Sequence, residues 1–296
     1  MRFASWSWGG RHHVGLISPC GSEATPLAVT DAERGALGII ESLARGEPLP
    51  TASGARLPVD VITLRSPLPR PLRGLFCVGR NYRAHAAELA TTVFASSMPE
   101  KDAWPIVFTK LAECVVGPFD SVRLPGAAVS QQIDYESELA VIIGRGGRDI
   151  PGSRAMEHVF GYTVVNDVTA RDVQMRHQQW DLGKSFDTFC PMGPWIVSAD
   201  ELDGRDTRVR GWVTPAGGQP QLRQDGRTRD LIFDIPTLIE TCSRGITLLP
   251  GDVIATGTPA GVGMGLNPPQ WLRDGDVVRV EIDGIGAIEN RFEMAR

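Results

Sequence analysis

One stretch restricts the fold more than any other: Ile133-Asp134-Tyr135-Glu136-Ser137-Glu138 runs directly into the apolar segment Leu139-Ala140-Val141-Ile142-Ile143. The apolar part is short and rich in branched residues, as a β-strand is. In a strand successive side chains alternate between faces, so Asp134, Glu136 and Glu138 are expected to project to one side, with neighbours about 7 Å apart. Three like charges crowded together repel. A hard divalent cation is an economical counter-charge, because Mg²⁺, Mn²⁺ and Ca²⁺ prefer carboxylate oxygens. The same hexapeptide standing alone also suits a solvated edge strand with a charged outer face.

Around that segment the sequence predicts more strands than helices. Further short β-branched runs lie at Val115 to Val116, Tyr162 to Val165, Trp195 to Val197, Val253 to Thr256 and Val277 to Ile282, separated by Gly, Pro and Asp turn signals. Helical patterns at Asn81 to Leu89, Thr169 to His177 and Ile235 to Ser243 do not alternate regularly with them. That favours an α+β fold built on mixed or antiparallel sheets over a doubly wound parallel one. Before these elements, one helix-like segment, Thr30 to Ala44, opens on an Asp31 cap and ends before Gly46 and Pro48. The three prolines of Ser66-Pro67-Leu68-Pro69-Arg70-Pro71 cannot continue a helix or a central strand. Residues 1–68 are therefore expected to form a small N-terminal domain and 69–296 the main one.

Composition narrows the function classes. The 296 residues are 42% hydrophobic and carry 30 Lys and Arg against 35 Asp and Glu, for a net charge of -5. This is a globular composition without the basic stripe that nucleic-acid binding requires. No apolar run approaches the roughly 20 residues of a membrane span, and the N-terminus lacks a signal-peptide pattern, so a cytoplasmic location is expected. The five cysteines are widely spaced, with no C-x-x-C pair, and read as reduced thiols. G-x-S-x-G, H-E-x-x-H and a P-loop are all missing.

Four further segments can carry chemistry. Asp167 ends an apolar strand in Val164-Val165-Asn166-Asp167-Val168-Thr169-Ala170-Arg171-Asp172, where it suits either a helix cap or a third carboxylate beside Glu136 and Glu138. Asp172 reads as an ordinary helix-surface partner of Arg176. In Gly79-Arg80-Asn81-Tyr82-Arg83-Ala84-His85-Ala86-Ala87-Glu88, His85 and Glu88 share one helix face. A carboxylate beside an imidazole orients it and raises its basicity, as a general base requires, although an exposed helix pair has the same spacing. Lys184, in a largely uncharged setting, either snorkels from a surface or faces an anion. Finally, Gly251-Asp252-Val253-Ile254-Ala255-Thr256-Gly257-Thr258-Pro259-Ala260-Gly261-Val262-Gly263 is a strand entering a glycine-rich turn, whose freed N–H groups and Thr258 hydroxyl make a carboxylate cradle.

Taken in order, G-x-N-Y-x-x-H-x-x-E, D-Y-E-x-E-L, N-D-x-T-A-R-D-x-Q, K-S-F-D-T-F-x-P-x-G-P-W and G-D-V-I-A-T-G-T-P-x-G-V-G resemble the catalytic domain of the fumarylacetoacetate hydrolase family over about residues 74–292. The resemblance implies a mixed β-sheet roll and an enzyme acting on a small 2-oxo acid. It implies Glu136, Glu138 and Asp167 as ligands of Mg²⁺ or Mn²⁺, with Ca²⁺ as a substitute, and His85 and Glu88 as a water-activating dyad on a mobile lid. It further implies Lys184 as the electrophilic partner and Arg80, Tyr82, Gln174 and Thr258 as substrate-binding residues. Lys110-Leu111-Ala112-Glu113 departs from the family's usual Lys-Pro-Ser, which sets aside a role for Lys110.

The leading expectation is an acylpyruvate-type hydrolase of a C–C bond, because the dyad is retained. An oxaloacetate-type decarboxylase and a 2-oxo-diene-dioate isomerase use the same chemistry, and a non-catalytic metal-stabilised binding protein is the alternative from another class. A homodimer is expected from the family and from the prevalence of two-fold symmetry. Residues Ala90 to Trp104, polar and poor in core positions, are expected to be mobile without substrate.

Overall fold

A computed structural model describes residues 1–89, 104–176 and 179–294. The expected lid at 90–104 lies, apart from the exposed Trp104, outside the described residues.

Strand Ser137–Ile143 is the centre of the molecule, and every one of its residues is buried. It lies between Val159–Asn166 and Val253–Ala255, both antiparallel to it, with Glu138 opposite Val165 and Ala140 opposite Ala255. Alternation then divides its side chains between two cores. Leu139, Val141 and Ile143 pack with Val209, Val278, Val280 and Ile282 of a second, five-stranded sheet. Ala140 and Ile142 face the opposite core, with Phe3, Leu37, Ile40, Cys77 and Phe108. A strand buried on both faces has no solvated side to expose charge on, so the edge-strand reading of its acidic lead-in does not hold.

Beyond Val253–Ala255 the sheet continues through Leu75–Gly79, which is parallel to it, and ends on Ile106–Lys110, where Lys110 stands opposite Leu75. In the other direction, Val159–Asn166 pairs with Cys190–Ser198. The fold is therefore mixed and sheet-dominated, as expected, with short helices Arg83–Leu89, Arg171–Gln174, Asp181–Lys184 and Ile235–Ser243 at strand ends. The last of these opens on Asp234, whose carboxylate accepts from Thr237 N at 2.9 Å, with Pro236 in the first turn.

A separate N-terminal domain is not confirmed. Strand Arg2–Trp8 pairs antiparallel with Cys190–Ser198, Phe3 opposite Ile196, so the first residues extend the main sheet. Phe3 also packs against Phe160, with ring centroids 5.0 Å apart. The helix expected over Thr30 to Ala44 forms in two pieces, a 3-10 turn at Ala32–Arg34 capped by Asp31 and an α-helix at Leu37–Ala44. Gly35 separates them at φ 61, and a Cβ there would lie 2.4 Å from Pro67 O. Among the described residues, no helix is long and apolar enough to cross a membrane.

Candidate active site

The acidic hexapeptide does not run as one strand. Ile133–Asp134 pairs with Thr169–Ala170, and the chain then turns before strand Ser137–Ile143 begins. That break sends Asp134 away from the other two carboxylates, contrary to the alternation expected of a continuous strand. Its oxygens accept from Gly263 N at 2.7 Å, Met264 N at 3.0 Å and Arg171 Nε at 2.9 Å. Glu136 and Glu138 instead converge with Asp167, brought alongside by the antiparallel neighbour strand and by Asp167 N donating to Glu136 O at 2.9 Å. All three are buried, and each offers an oxygen within 4.8 Å of the others.

Three buried cations surround them. Lys184 Nζ lies 2.6 Å from Glu136 Oε2 and 2.8 Å from Asp167 Oδ2. Arg171 reaches Glu136 Oε1 at 2.7 Å while holding Asp134. Lys110, set aside on sequence grounds, contacts Asp167 Oδ1 at 2.8 Å and donates to Val168 O at 3.1 Å and to Lys184 O. Burial opposes its charge, but the attraction of Asp167 prevails and raises its pKa. Burial likewise opposes the Glu136 charge, yet Lys184 and Arg171 hold that carboxyl below the usual range. Glu138 behaves oppositely: burial, then the charges of Asp167 and Glu136, push it well above the usual range. Among the described residues it makes no ion pair and accepts only a hydrogen bond from Gly257 N at 2.9 Å. A buried all-oxygen set in which one carboxylate lacks a counter-charge fits a hard divalent cation.

His85 is buried, and its Nδ1 lies 3.2 Å from Glu88 Oε2. The exposed-pair reading of these two residues therefore fails. Glu88 is fixed in turn by the glycine-rich turn, where Gly261 N donates to Oε1 at 3.0 Å and Oε2 at 3.2 Å. The cradle expected there thus receives a side-chain carboxylate. With Nδ1 facing Glu88, Nε2 has no hydrogen-bond partner among the described residues, and His85 lines one pocket with Arg80, Glu136, Glu138, Gln174 and Lys184.

The remaining sequence candidates divide. Arg80 lines this pocket from a left-handed turn at φ 55, and burial lowers its pKa. Gln174 lines it too, with Oε1 accepting from Arg171 Nη1 at 3.3 Å. Thr258 is also in the wall, but its hydroxyl is engaged at 3.1 Å by Ser137 O and at 2.7 Å by Gln224 Nε2. Tyr82 is buried beside the pocket rather than in its wall, its pKa raised by burial and by the Glu138 charge. Asp172 is not a surface partner of Arg176; its carboxylate accepts from Ser130 Oγ at 2.5 Å and Gln131 N at 3.1 Å. The sequence reading missed Gln224, which is fully buried and accepts from Ser137 N at 3.0 Å while donating to Pro259 O at 2.7 Å, and no local motif marks it.

Residues 74–293 match the family model for the C-terminal domain of fumarylacetoacetate (FAA) hydrolase. The chain belongs to that family and is an enzyme of it. Among curated relatives, oxaloacetate tautomerase YisK of Bacillus subtilis is 46% identical over 236 residues, which are 78% of this chain and 73% of that one. Among solved structures, a fumarylacetoacetate hydrolase from psychrophilic Exiguobacterium antarcticum superposes with a TM-score of 0.82 at 41% identity, covering 100% of both chains. A 2-hydroxyhepta-2,4-diene-1,7-dioate isomerase from Mycobacterium marinum gives a TM-score of 0.77 at 32% identity, over 99% of this chain and 98% of that one.

Proposed function

We propose that this enzyme interconverts the enol and keto forms of a small 2-oxo dicarboxylate of the oxaloacetate class. The observation that carries this reading is the placement of His85, fixed through Nδ1 by Glu88, in the same pocket as Glu136, Glu138 and Lys184. Tautomerisation needs one group that gives a proton to carbon and takes it back, and His85 is that group. Two similar proteins, one named as a tautomerase and one as an isomerase, support the assignment.

A divalent cation held by Glu136, Glu138 and Asp167 would supply Lewis-acid polarisation of the 2-oxo group, and the carboxylate-only donor set favours Mg²⁺ or Mn²⁺. In the ketonising direction the enol O–H proton is lost, the C2–C3 double-bond pair takes a proton from His85 Nε2–H, and C2=O forms. Composition is unchanged and His85 is left neutral, to be reprotonated by the released proton. Glu88 stabilises the charged imidazolium and holds the ring's orientation. Lys184 stabilises negative charge on the C2 oxygen. Arg80 is the cation in the pocket wall suited to the distal carboxylate, with Gln174 offering a neutral polar contact.

Acylpyruvate hydrolysis remains the second reading, because the His85–Glu88 pair is also what activation of a water molecule requires. One experiment separates the outcomes: the magnesium-loaded protein is given oxaloacetate and a set of acylpyruvates, and enol loss, carbon dioxide release and C–C cleavage are followed in parallel. Accelerated enol loss with slower release and cleavage is expected. Cleavage of an acylpyruvate as the fastest reaction would overturn the tautomerase reading.

A further inference from the structure

We propose that Gly265 is a positioning residue, kept free of a side chain so that the Glu88 carboxylate can dock on the glycine turn and hold His85 in register. The inference deepens the functional reading above and rests on its assignment of His85 and Glu88 as the acid–base pair.

Three glycines of the turn stand near one another, and different atoms constrain each. At Gly261 a Cβ would lie 1.8 Å from Arg223 O, and the residue holds φ 103, so backbone geometry alone requires glycine. At Gly263 a Cβ would lie 2.1 Å from Gln270 O and 2.8 Å from the Asp134 carboxylate, so the fold requires glycine there as well. Gly265 differs. It is outside the left-handed region, and the three atoms nearest a Cβ all belong to the Glu88 side chain: Cδ at 2.1 Å, Oε1 at 2.3 Å and Cγ at 2.4 Å. Its own N–H donates to Val262 O at 3.0 Å within the Gly263–Gly265 3-10 turn, which alanine retains.

The carboxylate of Glu88 is therefore held from two directions. Gly261 N–H attracts it electrostatically, while the bare Cα of Gly265 leaves the space it fills. The atoms a Cβ would meet are Cγ and the carboxylate end of one flexible side chain, with no backbone among them, so an added methyl at 265 should displace the Glu88 side chain before it displaces the backbone. An evicted Glu88 gives up both the Gly261 hydrogen bonds and the 3.2 Å contact with His85 Nδ1. The imidazole then loses the partner that fixes its ring and stabilises its charged form.

The test is a double-mutant cycle on the magnesium-loaded protein with oxaloacetate, joined to hydrogen exchange of the Arg83–Leu89 helix. Glu88→Ala is expected to lower turnover by about 10²-fold, the scale of a lost acid–base partner. Gly265→Ala should lower it by about 10-fold or more, with little change in KM or in the thermal midpoint, and should speed exchange in the helix as Glu88→Ala does. Glu88→Ala/Gly265→Ala should be no slower than Glu88→Ala alone, because the methyl then has nothing to displace. Should Gly265→Ala fail to fold while the double variant folds, the clash with Glu88 is confirmed as the cause. Independent, multiplying losses in the double variant, or a double variant that also fails to fold, would show that Gly265 serves the backbone and overturn the proposal. Undiminished turnover in Glu88→Ala itself would overturn the underlying reading of the dyad.

Discussion

Lys110 Nζ lies 2.8 Å from Asp167 Oδ1, and neither side chain has any exposure to solvent. Asp167 also belongs to the carboxylate trio, so Lys110 braces a group that would hold a cation there. Removing one member of a buried pair leaves the other uncompensated, typically at a loss of about 3–5 kcal/mol. Lys110→Met should therefore destabilise the protein by about 3 kcal/mol in urea unfolding without added cation, Lys184 sparing the remainder. A loss below about 1 kcal/mol would show that the pair does not bear on stability.

The trio itself makes a direct prediction about metal. Asp167→Ala removes one of three converging oxygens and leaves Lys110 and Lys184 facing an empty corner. Titration calorimetry should show Mg²⁺ and Mn²⁺ binding to the parent protein and no measurable Mg²⁺ binding to this variant, with turnover abolished. Unchanged Mg²⁺ affinity in Asp167→Ala would place the cation elsewhere.

Cys20 gives a prediction independent of the site. It is exposed, with Ser22 Oγ at 2.9 Å and Ser18 Oγ at 3.3 Å, and hydrogen bonds from these serines lower its pKa from 9.0 to about 7. Cys77, Cys114, Cys190 and Cys242 are buried, and burial pushes Cys242 up to about 12. Because the thiolate is the reactive form and the Cys20 pKa is depressed, its alkylation should rise with a midpoint near pH 7, well below that of an ordinary thiol. One thiol per native chain should react with iodoacetamide at pH 7.5. A midpoint near 9 would mean that the serine contacts do not persist in solution.

We propose a homodimer in solution, the commonest closed assembly for a chain of this kind. Sedimentation velocity at micromolar concentration should give a single species of twice the chain mass, and a monomer alone would contradict it.

The sequence made the strands legible where local pattern decides structure. Val277–Ile282 and Ile235–Ser243 form over the residues expected, because a short β-branched run and a helical periodicity are both set within the segment itself. It misplaced what depends on partners distant in the chain. Asp134 leaves the side shared by Glu136 and Glu138 because Arg171 and the amides of Gly263 and Met264 draw it away. The broken motif around Lys110 carries no family role over to it, yet its register opposite Leu75 on the sheet's last strand brings it to Asp167. The expected boundary at residue 68 rests on the prolines on either side of it, and the pairing of Arg2–Trp8 with Cys190–Ser198, which spans nearly two hundred residues, leaves no local trace that could confirm a separate domain.

On the proposed function, His85 moves the proton in a pocket lined by Glu136 and Glu138, which Asp167 joins in the carboxylate trio. The most direct measurement is the rate at which enol oxaloacetate is converted to the keto form, followed by loss of enol absorbance in Mg²⁺ buffer with the parent protein and with His85→Ala. The parent protein should accelerate conversion well above the buffer rate, and His85→Ala should lose about 10²-fold of that acceleration while retaining Mg²⁺ affinity. A parent protein no faster than Mg²⁺ buffer, or a His85→Ala variant as fast as the parent, would contradict the account.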